Sequence, residues 1–402
     1  MARAKQVKMT DVKTFSPRDI AGATEGVADR FDVEIFRDVD AIEADWAALE
    51  RDAVLTPFQT RAWLVPFYRE LAPRLKATPV LVLVRDRANG RPAMMLPLCA
   101  RRYYGVMVVQ FADLGVSDYN APIIAKSFNP SAVEWHLLFR KIVASIRIGS
   151  ILRFKNLPRQ IGGRPNPLVQ HGKNPVEMDL AAWGLDLPLS LDDYTKRVLR
   201  SSFSKELAKK RRRTARRGDI KFVSAETRED RQTAFDLLMR QRQERCDEMG
   251  RINVLAQESY RRFYQAATVE TDQQLSRLML FKVGGEAVGT VFALQHHDGF
   301  HVVISTFEGG DWKTCSLGNL VLQSAVEHCI DSGLGYFDLT IGNEDYKQDF
   351  GATAVPLFST LQPLTPLGAV LTFGLVTATK INKAFMRMPS FWSKAKFRLS
   401  TE

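Results

Sequence analysis

The chain has 402 residues, a net charge of +11, 45% hydrophobic and 25% charged residues. Those values exclude a disordered, collagen-like or disulfide-stapled protein for its bulk, and the length suits two or three domains. The positive balance favours an anionic partner such as phosphate, nucleic acid or a membrane surface, without choosing among them.

The four cysteines, Cys99, Cys246, Cys315 and Cys329, form no Cys-x-x-Cys pair, which points to reduced thiols in a cytoplasmic protein. No Cys or His group has ligand spacing, so no metal is expected. Residues 1–30 are polar, lack the apolar core of a secretory signal and read as a flexible tail. No run reaches the ~18 apolar residues of a membrane span.

Order is expected from Phe31, with Val33, Ile35 and Phe36 in a first strand. Asp38 to Arg51 follows as a helix with Ile42, Trp46 and Leu49 on one face. Thr56 and Pro57 read as the N-cap and first residue of the next helix. Pro79 to Arg85 is a buried strand, Asn89-Gly90 a hairpin turn, and Ala93 to Leu98 the return. Val106 to Phe111 is another strand, followed by a loop from Leu114 to Pro122. A helix from about Ser131 to Arg147 and a strand from Ile151 to Asn156 complete the unit.

The order then recurs. Leu278 to Val283, Ala287 to Gln295 and Phe300 to Thr306 read as strands, Ser316 to Ser332 as a helix stopped by Gly333, and Tyr336 to Leu339 as the last strand. Two copies of one α/β unit about 190 residues apart account for this. The Gly- and Pro-rich stretch from Gly162 to Pro188 reads as a connector, and Ser190 to Arg217 as helical. Beyond Leu361 lie an apolar stretch and a basic tail, which read as a packed terminal helix or a contact for an anionic membrane surface.

Three places can carry chemistry. Cys315-Ser316-Leu317-Gly318-Asn319 opens a helix after a strand, where unpaired amides and the helix dipole attract an anion. Phe337-Asp338 followed by Gly342-Asn343-Glu344-Asp345-Tyr346-Lys347 is a strand end crowded with ionisable groups, beyond the carboxyl edge where open α/β sheets bind ligands. Lys205, Lys209 to Arg213, Arg216 and Arg217 make a basic helix able to meet an anionic partner, but no aromatic residues alternate with the cations. No DNA partner is expected.

These residues resemble the tandem-GNAT acyltransferases found with bacterial cellulose and exopolysaccharide synthesis, the CelD/BcsL type, relatives of the FemAB-like aminoacyl transferases. The resemblance rests on Thr56-Pro57-Phe58-Gln59-Thr60 with Trp63, Leu96-Pro97-Leu98 with Arg101-Arg102, and Ser117-Asp118-Tyr119. It also rests on the basic helix ending at Gly218, on Ser316-Leu317-Gly318, and on the Phe337 to Lys347 segment.

It implies two GNAT-like domains of mixed sheets flanked by helices, at 31–185 and 186–362, with a helix and basic tail at 363–402. It implies an acyl-CoA co-substrate, acetyl-CoA in the usual case, with its pantetheine arm on strand Phe300 to Thr306. The diphosphate would lie on Ser316, Leu317, Gly318 and Asn319. Glu344 or Asp338 would serve as base, Tyr346 as acid or substrate anchor, and Lys347 as an anion contact. Asp118 and Tyr119 would hold the acceptor, an amine or hydroxyl of a sugar or polysaccharide precursor. The alternatives are a FemAB-like transferase using aminoacyl-tRNA, and a non-catalytic partner of a glycan synthase.

Overall fold

The computed structural model describes residues 30–271 and 275–374. Of the expected tail at 1–30, residues 1–29 lie outside the described residues, as do the basic residues from Lys380 to Arg398, while Arg30 pairs with Asp86 and Glu134.

The first half supplies β1 (Phe31–Phe36), β2 (Ala53–Val54), β3 (Thr78–Asp86), β4 (Pro92–Tyr103), β5 (Val106–Phe111), β6 (Ile123–Ala125) and β7 (Ile151–Pro158). A small hairpin, β8 (Gln160–Ile161) with β9 (Arg164–Pro165), then leads to β10 (Val176–Glu177). The second half supplies β11 (Ala182–Asp186), β12 (Ile220–Ser224), β13 (Ser276–Val283), β14 (Glu286–His296), β15 (Gly299–Phe307), β16 (Tyr336–Ile341), β17 (Thr353–Val355) and β18 (Leu357–Pro363). The helices that matter below are α1 (Glu43–Arg51), α2 (Arg61–Pro66), α3 (Ala132–Ser145), α4 (Ser201–Ala215), α5 (Arg228–Glu248), α6 (Glu258–Thr268) and α7 (Leu317–Asp331).

Local chemistry explains most of these elements. The β3–β4 turn closes as expected, with Gly90 at positive φ and the Asp86 N–H donating to the Arg91 carbonyl at 3.0 Å. Ser131 and Glu134 form a reciprocal capping box at the start of α3. Thr56 does not cap a helix. Pro57–Gln59 is an isolated 3₁₀ turn, Thr60 is extended, and α2 begins only at Arg61. Pro66 lacks an N–H for the i−4 bond, and the chain widens into a π turn at Phe67–Leu71.

Two sheets result, with parallel orders. The first runs β1-β3-β4-β5-β7-β18-β10, and the second β12-β13-β14-β15-β16-β11-β17. In each, the fourth and fifth strands are parallel and the other ladder neighbours antiparallel. The repeat read from the sequence therefore appears as two mixed sheets flanked by helices.

The halves trade strands at one edge. β11, inside the stretch read as a connector, inserts between β16 and β17 of the second sheet. β18, which follows the second unit, pairs with β7 and β10 of the first. The sheets therefore do not divide at 185/186 and 362/363. Gly184 on β11 is needed because a Cβ there would lie 1.9 Å from the Tyr336 hydroxyl.

The halves also share apolar core. Trp63 of α2 packs edge-on to Phe263 of α6 at 4.8 Å between centroids and stacks on Phe292 of β14 at 6.1 Å. Crossed strands and a common core couple the halves, so heat should unfold them in one transition with equal calorimetric and van't Hoff enthalpies. Trp63→Ala should cost about 3–5 kcal/mol and lower that single transition. Two resolved transitions in scanning calorimetry would contradict this coupling.

Candidate functional site

The site is built where β15 and β16 part. Their parallel ladder covers only Gly299 to His301 opposite Tyr336 to Asp338. Beyond it the strands no longer pair, because β16 bulges and Thr340 turns to φ 55°. Asp338 stabilises that turn, accepting the Thr340 N–H at 2.6 Å. The Thr340 hydroxyl donates to the Val302 carbonyl at 3.0 Å, bridging the two strands where the ladder ends.

A loop from the first half reaches this point. Residues 112–122 follow β5, and several side chains fix them. Trp63 Nε1 donates to Ser117 Oγ at 3.1 Å, and Gln59 Nε2 donates to the Tyr119 carbonyl at 2.9 Å. Asn120 Nδ2 donates to Asp113 Oδ2 at 2.8 Å, while Tyr260 of α6 donates to the Leu114 carbonyl at 2.9 Å. The loop carries Tyr119 to the second sheet, where its hydroxyl donates to Asp338 Oδ2 at 2.7 Å.

Asp338 is 1% exposed and sits at the centre of a polar cluster. The His301 Nδ1 lies 3.4 Å from its Oδ2. The His301 ring faces Tyr119, Phe58 and Tyr336, with centroids 6.1–6.5 Å away. Burial and the Asp338 charge hold the Tyr119 and Tyr336 hydroxyls well above the usual phenol range. Asp118 belongs to the same cluster. Burial, then the negative charge of Asp338, pushes its carboxyl up to about 7, against a hydrogen bond from Thr340 and the charge of Lys347.

The helix start has mixed features. Ser316 occupies the N-cap position of α7 in the left-handed region, φ 52°, and its side chain makes no cap bond. The Asn319 and Leu320 amides turn back to the Ser316 carbonyl. As the first two helical residues, Leu317 and Gly318 have amides with no intrahelical partner at the positive end of a 15-residue dipole. Gly318 answers a packing demand too, since a Cβ would sit 2.7 Å from the Phe307 ring at the end of β15. Cys315 is buried. Amides of this kind at a helix start suit an anionic group such as a diphosphate.

The Gly342 to Lys347 segment departs from expectation. Glu344 is exposed, its side chain 57% accessible, and its carboxylate lies 3.1 Å from Lys347 Nζ. Lys347 is 2% exposed and also donates to the carbonyls of Thr340 and Gly342 at 3.2 and 3.3 Å. Its ammonium pins the loop to β16 and has no free donor aimed outward, so it is not an anion contact. Tyr346 is half-buried, edge-on to Phe350, and burial with the Glu344 charge pushes its hydroxyl up to about 12.

The structure therefore joins Asp118, Tyr119 and Asp338 with Thr340, leaves Glu344 in solvent, and adds His301 and Tyr336, which sequence reasoning missed. The sequence signal available for His301 is a polar residue inside the apolar strand Phe300-His301-Val302-Val303-Ile304.

A cavity of about 360 Å³ lies beside the site between α5 and the end of β15, lined by Gln241, Glu244, Arg245, Glu248, Phe307 and Glu308. Gln241 holds that wall, accepting the Thr290 and Thr306 hydroxyls at 3.0 and 2.9 Å. Another cavity, of about 390 Å³ at Arg231, Arg277 and His328, lies toward the opposite strand ends and contains none of the candidate residues.

Residues 201–348 match the family model described as an acetyltransferase (GNAT) domain. The fold is similar to that of FemX, with a TM-score of 0.52 at 10% identity, covering 81% of this chain and 96% of that one. It is also similar to the C-terminal domain of a protein assigned as a lysylphosphatidylglycerol synthetase from Agrobacterium fabrum, with a TM-score of 0.50, 10% identity, and 84% and 95% covered. A conserved protein of unknown function from Bacteroides thetaiotaomicron gives 0.50, 10%, 82% and 99%. No match was found among curated proteins. Residues 201–348 of the second half thus match an acyltransferase domain of the GNAT type, and the chain shares its fold with these structures.

Proposed function

We propose that the protein transfers an acyl group from a coenzyme A thioester to an amine or hydroxyl, in a site shared by its two halves. The observation that carries this reading is the opening between β15 and β16, with the amides of Leu317 and Gly318 beyond one end and the Asp118–Tyr119–Asp338 cluster at the other. The donor would lie between these points, its diphosphate at the start of α7. The acceptor class is carried over from the sequence resemblance, as a sugar or polysaccharide precursor, and so is the link to cellulose and exopolysaccharide synthesis.

Of the expected bases, Asp338 is already engaged by the Tyr119 hydroxyl and the Thr340 N–H, and Glu344 is paired in solvent. Asp118 is better suited, because a carboxyl near pH 7 both accepts and releases a proton under working conditions. In this reading Asp118 takes the acceptor's proton as its nitrogen or oxygen attacks the thioester carbon. The carbon–sulfur bond breaks, and the thiolate takes a proton from Tyr346, which stays protonated at neutral pH. Tyr119 holds Asp338, and Asp338 holds the turn at Thr340 that keeps the strands apart.

A second reading has an aminoacyl-tRNA as donor. The basic helix favours it, because α4 ends beside the donor cradle. Arg217 donates to the Asp311 carbonyl at 3.0 Å and lies over the Trp312 ring at 4.6 Å, just before α7. One fold neighbour is also named for lysyl transfer to a lipid. Acetyl-CoA should raise the melting temperature of the purified protein under the first reading. Under the second, transfer RNA binds instead, with a steep salt dependence. Stabilisation by neither ligand would count against both.

With a supporting donor, kcat/KM should rise with pH through about 7 and then level off, as Asp118 loses its proton. Asp118→Asn should lower it by about 10²–10⁴-fold and abolish that limb. The stability effect has the opposite sign. The folded state raises this carboxyl's pKa, so wild-type stability is lost as pH climbs through about 7. The Asn variant should therefore melt higher than wild type above neutral pH and match it below about pH 4. An Asn variant with an unchanged pH–rate profile would remove Asp118 from the mechanism.

A further inference from the structure

His301 stands on the last rung of the parallel ladder, directly opposite Asp338, before β15 and β16 part. Phe58, Tyr119 and Tyr336 pack around its ring. Gly299, two residues earlier on the same strand face, leaves room for that ring, since a Cβ there would lie 3.0 Å from Nε2. The side chain is 12% exposed. Its Nδ1 is buried and makes no hydrogen bond among the described residues, although Asp338 Oδ2 is 3.4 Å away. A buried ring nitrogen left without a partner is costly, and here the acceptor is within reach.

That acceptor has capacity to spare. Asp338 Oδ1 takes the Thr340 N–H and Oδ2 takes the Tyr119 hydroxyl. A carboxylate oxygen accepts from two donors, so Oδ2 can take a second. Several titratable neighbours of the ring add no charge near neutral pH. Burial and the Asp338 charge keep the Tyr119 and Tyr336 hydroxyls protonated. His296 of β14 is pulled down to about 4 by burial, then by the charges of His297 and His301. Asp338 is the ionised side chain that lies against the ring. Hydrogen bonds in an empty site are often long and tighten when substrate binds.

We infer that His301 is a positioning residue, whose Nδ1–H closes on Asp338 Oδ2 and fixes that carboxylate within the cluster that holds Asp118. This role rests on the reading in which Asp118 is the base. The Asp338 charge acts on Asp118 and favours its protonated form. The positive end of an N–H dipole set on Asp338 offsets part of that charge, so Asp118 ionises more readily. His301 acts through Asp338 and not on the reacting atoms.

Two readouts on the full-length protein test this. The first is a long-range proton–nitrogen spectrum of wild type, isotope-labelled on histidine, at about pH 8. The neutral His301 ring should carry its proton on Nδ1, the signal being identified by its loss in His301→Asn. The second is kinetic, with a donor that supports turnover. His301→Phe keeps a ring and removes both nitrogens. It should lower kcat/KM about tenfold near neutral pH and move the rising limb at least about 0.5 unit higher. His301→Asn offers an amide N–H in place of Nδ1–H, and should stay within about threefold of wild type with its limb unmoved. A proton on Nε2 would overturn the inference, as would a folded Phe variant with the wild-type limb. An Asn variant as slow as the Phe variant would count against it too. If no coenzyme A thioester is turned over, the transferase reading fails, and the spectrum alone still decides whether Nδ1 donates to Asp338. The spectrum also decides if the Phe variant does not fold.

Discussion

The hydrogen bond from Tyr119 to Asp338 joins residues 219 positions apart and is the point on which the site depends. Asp338 is almost fully buried, and a buried carboxylate is tolerable only with hydrogen-bond donors around it. One donor comes from its own strand, the Thr340 N–H, and one from the other half of the chain, the Tyr119 hydroxyl. The loop that brings Tyr119 is itself held by Trp63, Gln59, Asn120 and Tyr260, so its position is set by both halves. Removing any of these ties loosens a buried charge, and this explains why so many polar side chains converge on one loop.

The proposed chemistry draws on the same arrangement. Burial of Asp118, and then the negative charge of Asp338, pushes its carboxyl up to about 7, above that of an exposed aspartate. Neither half has this property alone. The first half brings Asp118 and Tyr119 to the cluster. The second brings α7 and the parted strands but lacks Asp118. The exchange of β11 and β18 between the sheets fixes the relative placement that such a shared site requires.

Much of the architecture was legible in the sequence because it rests on local chemistry. The Asn89-Gly90 turn, the alternating strands and the helix opening at Leu317 all follow from short-range rules, and their recurrence exposed the repeat. The strand exchange was not legible. β10 has two residues and β11 five, within a Gly- and Pro-rich stretch, and only pairing across the fold makes them strands. Lys347 misled for a related reason. A lysine among Glu344 and Asp345 reads as a solvated cation, whereas three oxygen acceptors around its ammonium allow it to be buried. Thr56 has the composition of a helix cap, but its hydroxyl meets Gln59 Oε1 at 2.5 Å and the helix starts later. Asp118 and Tyr119 stand side by side in the sequence, yet their meeting with Asp338 depends on how the halves close, which no local pattern encodes.

Amide hydrogen exchange with and without coenzyme A tests the shared site most directly. If the donor lies between β15 and β16, coenzyme A should slow exchange at Leu317 and Gly318 and also in residues 112–122 of the other half. Protection confined to the start of α7, with loop 112–122 unchanged, would contradict a site completed by the first half. Protection at neither place would contradict the donor site itself.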